Sequence, residues 1–99
     1  LHLGSCPVSD ASLAHLEGLT RLETLDLDGT QITGIGLRHL KGLARLKLLS
    51  LDSTAMTDDR LGDLKSLHTL GTLFIAFTRV SSAGLDGLQQ ALPKTHIRR

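Results

Sequence analysis

A 24-residue period runs through the whole chain, and no other feature restricts its fold as much. Leu1, Leu25, Leu49 and Leu73 share one phase, as do Leu3, Leu27, Leu51 and Ile75, and then Val8, Ile32, Met56 and Val80. Leu13, Leu37, Leu61 and Leu85 follow, then Leu16, Leu40, Leu64 and Leu88. Two further columns hold Leu19, Leu43 and Leu67, and Leu22, Leu46 and Leu70, before the last repeat substitutes Ala91 and Lys94. Seven columns over four repeats give 28 slots, of which 27 are apolar. Random placement at this composition would fill about 11, so the pattern belongs to the fold and not to leucine abundance alone.

The repeats fall near 1–24, 25–48, 49–72 and 73–96 within one domain spanning 1–99. Apolar residues make up 40% of the chain with two Phe, no Trp and no Tyr, so the core must be aliphatic. In Leu25-Asp26-Leu27 the apolar residues alternate with a polar one, which predicts a short strand with one face buried. Equivalent strands are expected near 1–3, 49–51 and 73–75, stacked in parallel at about 4.8 Å. In the return segments Ser9, Thr33, Thr57 or Ser81 precedes the helical spacing of leucines, and a hydroxyl there can accept from first-turn amides. Helices should start near those residues, with Leu13, Leu16 and Leu19 facing the sheet and Arg38, Lys41 and Arg45 facing outward. Asp10, Asp58 and Asp59 suit the positive end of a helix.

Each repeat reads L-x-x-L-x-L-x-x-[T/C]-x-[I/V/M], as in LETLDLDGTQI from Leu22 to Ile32, and so resembles the leucine-rich-repeat family. The TDDRL and SDASL segments look like its 24-residue bacterial type and the cysteine-containing repeats of ubiquitin-ligase substrate adaptors. Cys6, Thr30, Thr54 and Thr78 stand where the family usually has Asn. A hydroxyl or thiol there can hydrogen-bond the backbone of the turn leaving each strand. For Cys6 the alternative is a reactive thiol, but no basic neighbour in sequence lowers its pKa. The resemblance implies an α/β fold, a right-handed solenoid of about four repeats with strands on the concave face and helices on the convex face. It also implies a non-catalytic scaffold that binds a protein or peptide through the concave sheet. An architectural spacer in a larger protein and the substrate-recognition part of a ubiquitin-ligase-like adaptor are the alternatives.

Ile97 returns to phase after the irregular Ala91, Pro93 and Lys94, predicting a closing strand near 96–98 whose basic tail, Arg98-Arg99, discourages edge pairing. The amino end has no comparable cap, so further repeats are expected upstream in a longer parent. A formal charge of +1 from 11 basic and 10 acidic residues, well interspersed, favours neither nucleic acid nor an anionic membrane. No stretch reaches the roughly 20 apolar residues of a membrane span. The single cysteine excludes an intrachain disulfide framework and fits a cytoplasmic setting.

Outward strand positions form three columns: Thr24, Leu48, Thr72 and His96; then His2, Asp26, Ser50, Phe74 and Arg98; then Gly4, Asp28, Asp52 and Ala76. Leu48 and Phe74 are large apolar groups beside the acidic pair Asp28 and Asp52, an anchor rimmed by charge. The contact candidates are Asp26, Asp28, Leu48, Ser50, Asp52, Phe74 and Ala76. His15, His39 and Asp63 share a column and could in principle hold a metal, but they occupy normally solvated helix positions. Asp58-Asp59 reads as helix-start electrostatics, not a catalytic pair, and Arg38, Lys41, Arg45 and Lys47 read as a solvated face. Gly34-Ile35-Gly36 lacks the third Gly and the Lys of a phosphate loop. Neither a catalytic signature nor a cofactor motif is present, so no enzyme is expected.

The assigned phase has a direct test. Leu40→Ala should cost about 2–5 kcal/mol in urea unfolding, as a core truncation does, whereas Arg38→Ala should cost little. Equal losses would contradict the phase.

Overall fold

Parallel strands cannot be joined by a tight turn; each needs a crossover long enough to carry the chain back. Here the crossovers are supplied by helical segments. The computed structural model of the protein describes residues 1, 3–5 and 8–99. In chain order the elements are 3₁₀ segment η1 (Asp10–Leu16), strand β1 (Thr24–Asp26), η2 (Ile35–Leu40), β2 (Leu48–Ser50), η3 (Asp58–Ser66), β3 (Thr72–Phe74), helix α1 (Ser82–Ala91) and β4 (His96–Arg98). The strands form one four-stranded parallel sheet in the order β1-β2-β3-β4. Leu25 pairs with Leu49, Leu49 with Leu73 and Leu73 with Ile97, so a sequence column has become a row of rungs. The first expected strand, 1–3, contains His2, which lies outside the described residues; on either side of it Leu3 N donates to Asp26 O (2.8 Å) and Asp26 N to Leu1 O (2.9 Å), extending the same ladder. The members of the periodic columns at His2 and Cys6 lie outside the described residues.

The core is the set of leucine columns. Leu13, Leu25, Leu27, Ile32, Leu37, Leu40, Leu49, Leu51, Leu64, Leu73 and Leu88 are fully buried, while Arg38 is exposed. At the amino end the same columns open to solvent: Leu1 and Leu19 are each 44% exposed, against 0% for Leu25 and 1% for Leu43. At the other end the irregular repeat is refilled by neighbours. Ala91 and Lys94 give way to Leu92 and Thr95, both buried, and the Thr95 hydroxyl donates to Leu70 O at 2.9 Å. Gln89 Nε2 donates to Leu92 O and Thr95 O, both at 2.9 Å, tying the end of α1 to β4.

Three of the four helical segments are 3₁₀ and only the last is an α-helix. Leucine spacing accounts for the difference. Leu37, Leu40 and Leu43 recur every third residue, which matches three residues per turn. Leu85, Leu88 and Leu92 are spaced three and then four, the stripe of an α-helix.

The ladder threonines hold the turns that leave the strands. The hydroxyls of Thr30, Thr54 and Thr78 donate to the carbonyls of Leu27, Leu51 and Ile75 at 2.7, 2.7 and 3.1 Å, and Thr78 Oγ1 also accepts from Val80 N at 3.4 Å. The helical segments start after Ser9, Thr57 and Ser81, as expected, and one residue late in the repeat of Thr33. Ser81 caps its own helix, accepting from Gly84 N at 3.1 Å, Ser9 forms a capping box with Ser12, whose hydroxyl accepts from Ser9 N at 3.4 Å, and η2 is preceded by Gly34 in place of Thr33. The first-turn carboxylates instead reach across to the next repeat. Asp10 accepts from Thr33 N, Gly34 N, Gly36 N (3.0 Å) and the Thr33 hydroxyl (2.7 Å), and Asp58 accepts from Ser81 N (2.7 Å) and the Ser81 hydroxyl. Gly36 is required for this approach, because a Cβ there would sit 2.5 Å from the Asp10 carbonyl oxygen. The close packing of η1 on η2 therefore explains Gly36, whereas Gly34 is required by its φ of 110° and by Met56 and Arg60 of the following repeat, 2.8 and 2.5 Å from where its Cβ would be.

Partial burial raises the Asp10 carboxyl pKa, but the Thr33 hydroxyl and the amides of Gly36, Thr33 and Gly34 together hold it below its ordinary 3.8. A depressed folded-state value means stabilisation that is complete above 3.8 and lost as pH falls through that lower value. Asp10→Ala should cost about 1 kcal/mol at neutral pH, as a lost cap does. It should also flatten the decline in urea midpoint below pH 3.8; an unchanged acid limb would mean that Asp10 is not the group responsible.

Candidate functional site

Sheets made only of parallel strands are usually covered on both faces. This one is not. In β1 and β3 the central leucine is buried while its neighbours Thr24, Asp26, Thr72 and Phe74 are half-buried, which leaves one face of the sheet accessible. Across that face the register lines up Thr24, Leu48, Thr72 and His96, and beside them Asp26, Ser50, Phe74 and Arg98.

The accessible face contains a shallow depression of ≈ 310 Å³. Six of the seven contact candidates line it, namely Asp26, Asp28, Leu48, Ser50, Asp52 and Phe74, with Thr24 in addition. Ala76 stands outside the lining but is joined to it, since its N–H donates to Asp52 Oδ1 at 2.6 Å. A larger hollow of ≈ 680 Å³ lies at the end of α1 beside β4, but it is shallow and polar, and Gln89 in its wall is already committed to two carbonyls.

The lining combines the apolar side chains of Leu48 and Phe74 with the carboxylates of Asp26, Asp28 and Asp52. Leu48 and Phe74 are half-buried, so each presents part of its side chain and packs the rest. Ser50 is buried at 6% exposure, and its hydroxyl is hydrogen-bonded to Asp28. Asp28 Oδ1 also accepts from Asp52 N (3.2 Å), and Asp26 Oδ1 accepts from Asp28 N (3.0 Å). The carboxylates thus serve as backbone acceptors from one repeat to the next. Asp28 and Asp52 each have one oxygen held in place by a backbone amide, so their carboxylates are oriented before any partner arrives.

Elsewhere the sequence candidates separate. His39 Nδ1 contacts Glu17 and Asp63 pairs with Lys41 (3.2 Å), so the His15, His39 and Asp63 column is drawn toward other partners. Lys47 pairs with Glu23 at 3.5 Å, and Arg38 and Arg45 are exposed. Asp58 and Asp59 do not face a common site. The Ser81 hydroxyl and amide hold the Asp58 carboxyl below the usual range, and the Thr57 hydroxyl does the same for Asp59. Among the described residues no group of three His, Cys, Asp or Glu side chains could hold a metal ion, and no helix is long and apolar enough to cross a membrane.

Sequence reasoning missed Phe77. It is 88% exposed and has a backbone φ of 58°, in the left-handed region that disfavours bulky side chains. Its column consists of Ser5, Gly29, Ser53 and Phe77, with φ of 60°, 66°, 59° and 58°. The signal was the column itself, where an aromatic replaces residues suited to tight turns. Phe77 directly follows Ala76, at the same edge of the sheet as Asp28 and Asp52.

No family model matches the chain, and no curated protein matches it.

The conformation of Phe77 generates its own prediction. Left-handed backbone costs a non-glycine residue about 1–2 kcal/mol, against about 0.5–1 kcal/mol of added chain entropy for glycine. Phe77→Gly should therefore raise stability by roughly 0.5–1 kcal/mol in urea unfolding; a loss would show that the ring is packed and not presented.

Proposed function

We propose that this chain is a segment of a leucine-rich-repeat solenoid whose open sheet face binds a protein or peptide, without catalysis. One observation carries the reading: the depression on that face gathers Leu48 and Phe74, from neighbouring strands, beside the carboxylates of Asp26, Asp28 and Asp52. An apolar centre with a polar border is the anatomy of a protein-binding patch. The 24-residue period, the in-register parallel strands and the ladder threonines support the solenoid assignment, in which the open face is concave.

The architectural spacer has an observation of its own. Asp28 and Asp52 accept backbone hydrogen bonds from the following repeat, so their presence is accounted for without a ligand. The half-exposed Leu48 and Phe74 have no such account and favour binding.

A double substitution separates the two readings. With the chain as bait in crosslinking and pull-down, Leu48→Ser with Phe74→Ser should weaken partner capture ~30-fold or more, the loss of about 2 kcal/mol at an anchor. Circular dichroism of the variant would check that the sheet persists. Full retention of every interaction would favour the spacer and overturn the binding assignment.

A further inference from the structure

The charges on the open face are not distributed evenly. At the β1 and β2 end stand Asp28 and Asp52, both lining the depression and each fixed by a backbone hydrogen bond. At the opposite end β4 contributes His96 and Arg98, both exposed. Arg98 is in register with Phe74, and His96 with Thr72, so both belong to the same face as the depression. Arg99, next in the chain, is paired with Asp86 at 3.4 Å, whereas Arg98 makes no ion pair among the described residues. From β1 to β4 the face therefore runs obliquely from acidic through apolar to basic, with Asp28 and Asp52 two residues further along the chain than the row of Asp26, Ser50, Phe74 and Arg98.

From this polarity we infer that the occupant is an extended peptide segment laid across the strands, with a basic residue over Asp28 and Asp52, an apolar residue on Leu48 and Phe74, and an acidic residue at Arg98. The inference rests on the reading of this face as a binding surface and specifies its ligand. Spacing sets the length. Strands β1 and β4 are three strand separations apart, about 14 Å. An extended chain covers that distance in about four residues at ~3.3 Å each. The apolar residue falls midway, because Leu48 and Phe74 lie on the two central strands. Alternate side chains of an extended segment point the same way, so the basic, apolar and acidic groups occupy every second position and all face the sheet. A segment with two basic or two acidic ends meets a like charge at one end, which is the discrimination electrostatic complementarity provides.

The test is an NMR titration of the isotope-labelled chain with short blocked peptides in a serine background. One carries lysine, leucine and glutamate at alternate positions; two controls carry lysine-leucine-lysine and glutamate-leucine-glutamate. The mixed peptide should shift the amides of residues 26–28, 50–52, 74–76 and 96–98 and bind roughly 5- to 10-fold more tightly than either control, the scale of two exposed ion pairs. That preference should shrink as salt is raised. Arg98→Glu should reverse the order, so that the doubly basic peptide binds best, and Arg98→Gln should fall between. Equal affinities on this face, or an order unmoved by Arg98→Glu, would overturn the polarity while leaving the face as a binding surface. Absence of shifts with every peptide would overturn the proposed ligand class, and the Leu48 and Phe74 double variant decides separately whether the face binds a protein.

Discussion

A leucine in this chain is buried chiefly by its counterparts one repeat away, and the rest of the structure depends on that mutual burial. Leu25, Leu49 and Leu73 lie side by side in the sheet, with Ile97 completing the row. No aromatic residue is in the core, so cohesion comes from many similar aliphatic contacts, each worth about 1.5–3 kcal/mol on full burial. Such a core requires a fixed register. A one-residue slip of a strand would turn its leucine onto the open face and its polar neighbours inward. The parallel ladder and the leucine columns thus specify each other, and the open face is what remains once both are satisfied.

How much of this was legible in the sequence follows from which interactions repeat. The rungs, the buried columns and the threonine ladder recur every 24 residues and could be read directly. Strand order and the six depression-lining candidates followed from the same phase. What was not read depended on a departure from the period or on a contact between repeats. The 3₁₀ character of three return segments was encoded in a strict three-residue leucine spacing, which a generic helical reading overlooks. Asp10 and Asp58 were placed correctly at helix starts, but each serves the helix of the following repeat, a geometry that one-dimensional spacing does not contain. Phe77 was hidden because an exposed aromatic has no signature until its backbone conformation is known.

Under the proposed binding function, the carboxylates of the depression would serve structure and recognition with the same atoms. Asp28 and Asp52 each offer one oxygen to a neighbouring amide, which holds the carboxylate in place and aligns successive repeats. A charge immobilised in this way loses little further freedom when a partner arrives. Mutations at these aspartates would consequently act on folding and on binding together, whereas Leu48 and Phe74 allow the two to be separated.

The carboxylate ties between repeats are unevenly placed. On the sheet side Asp28 joins the second repeat to the third and Asp52 the third to the fourth. On the helical side Asp10 joins the first to the second and Asp58 the third to the fourth, but the residue in that column between them is Gly34, which has no side chain to offer. The middle junction is thus pinned along the sheet and, at the helix starts, lacks the clamp its neighbours have, with the exposed Lys41–Asp63 pair nearby. That junction is held instead by the ladder between β1 and β2 and by Gly34, whose missing side chain lets the turn seat against Met56 and Arg60 of the next repeat.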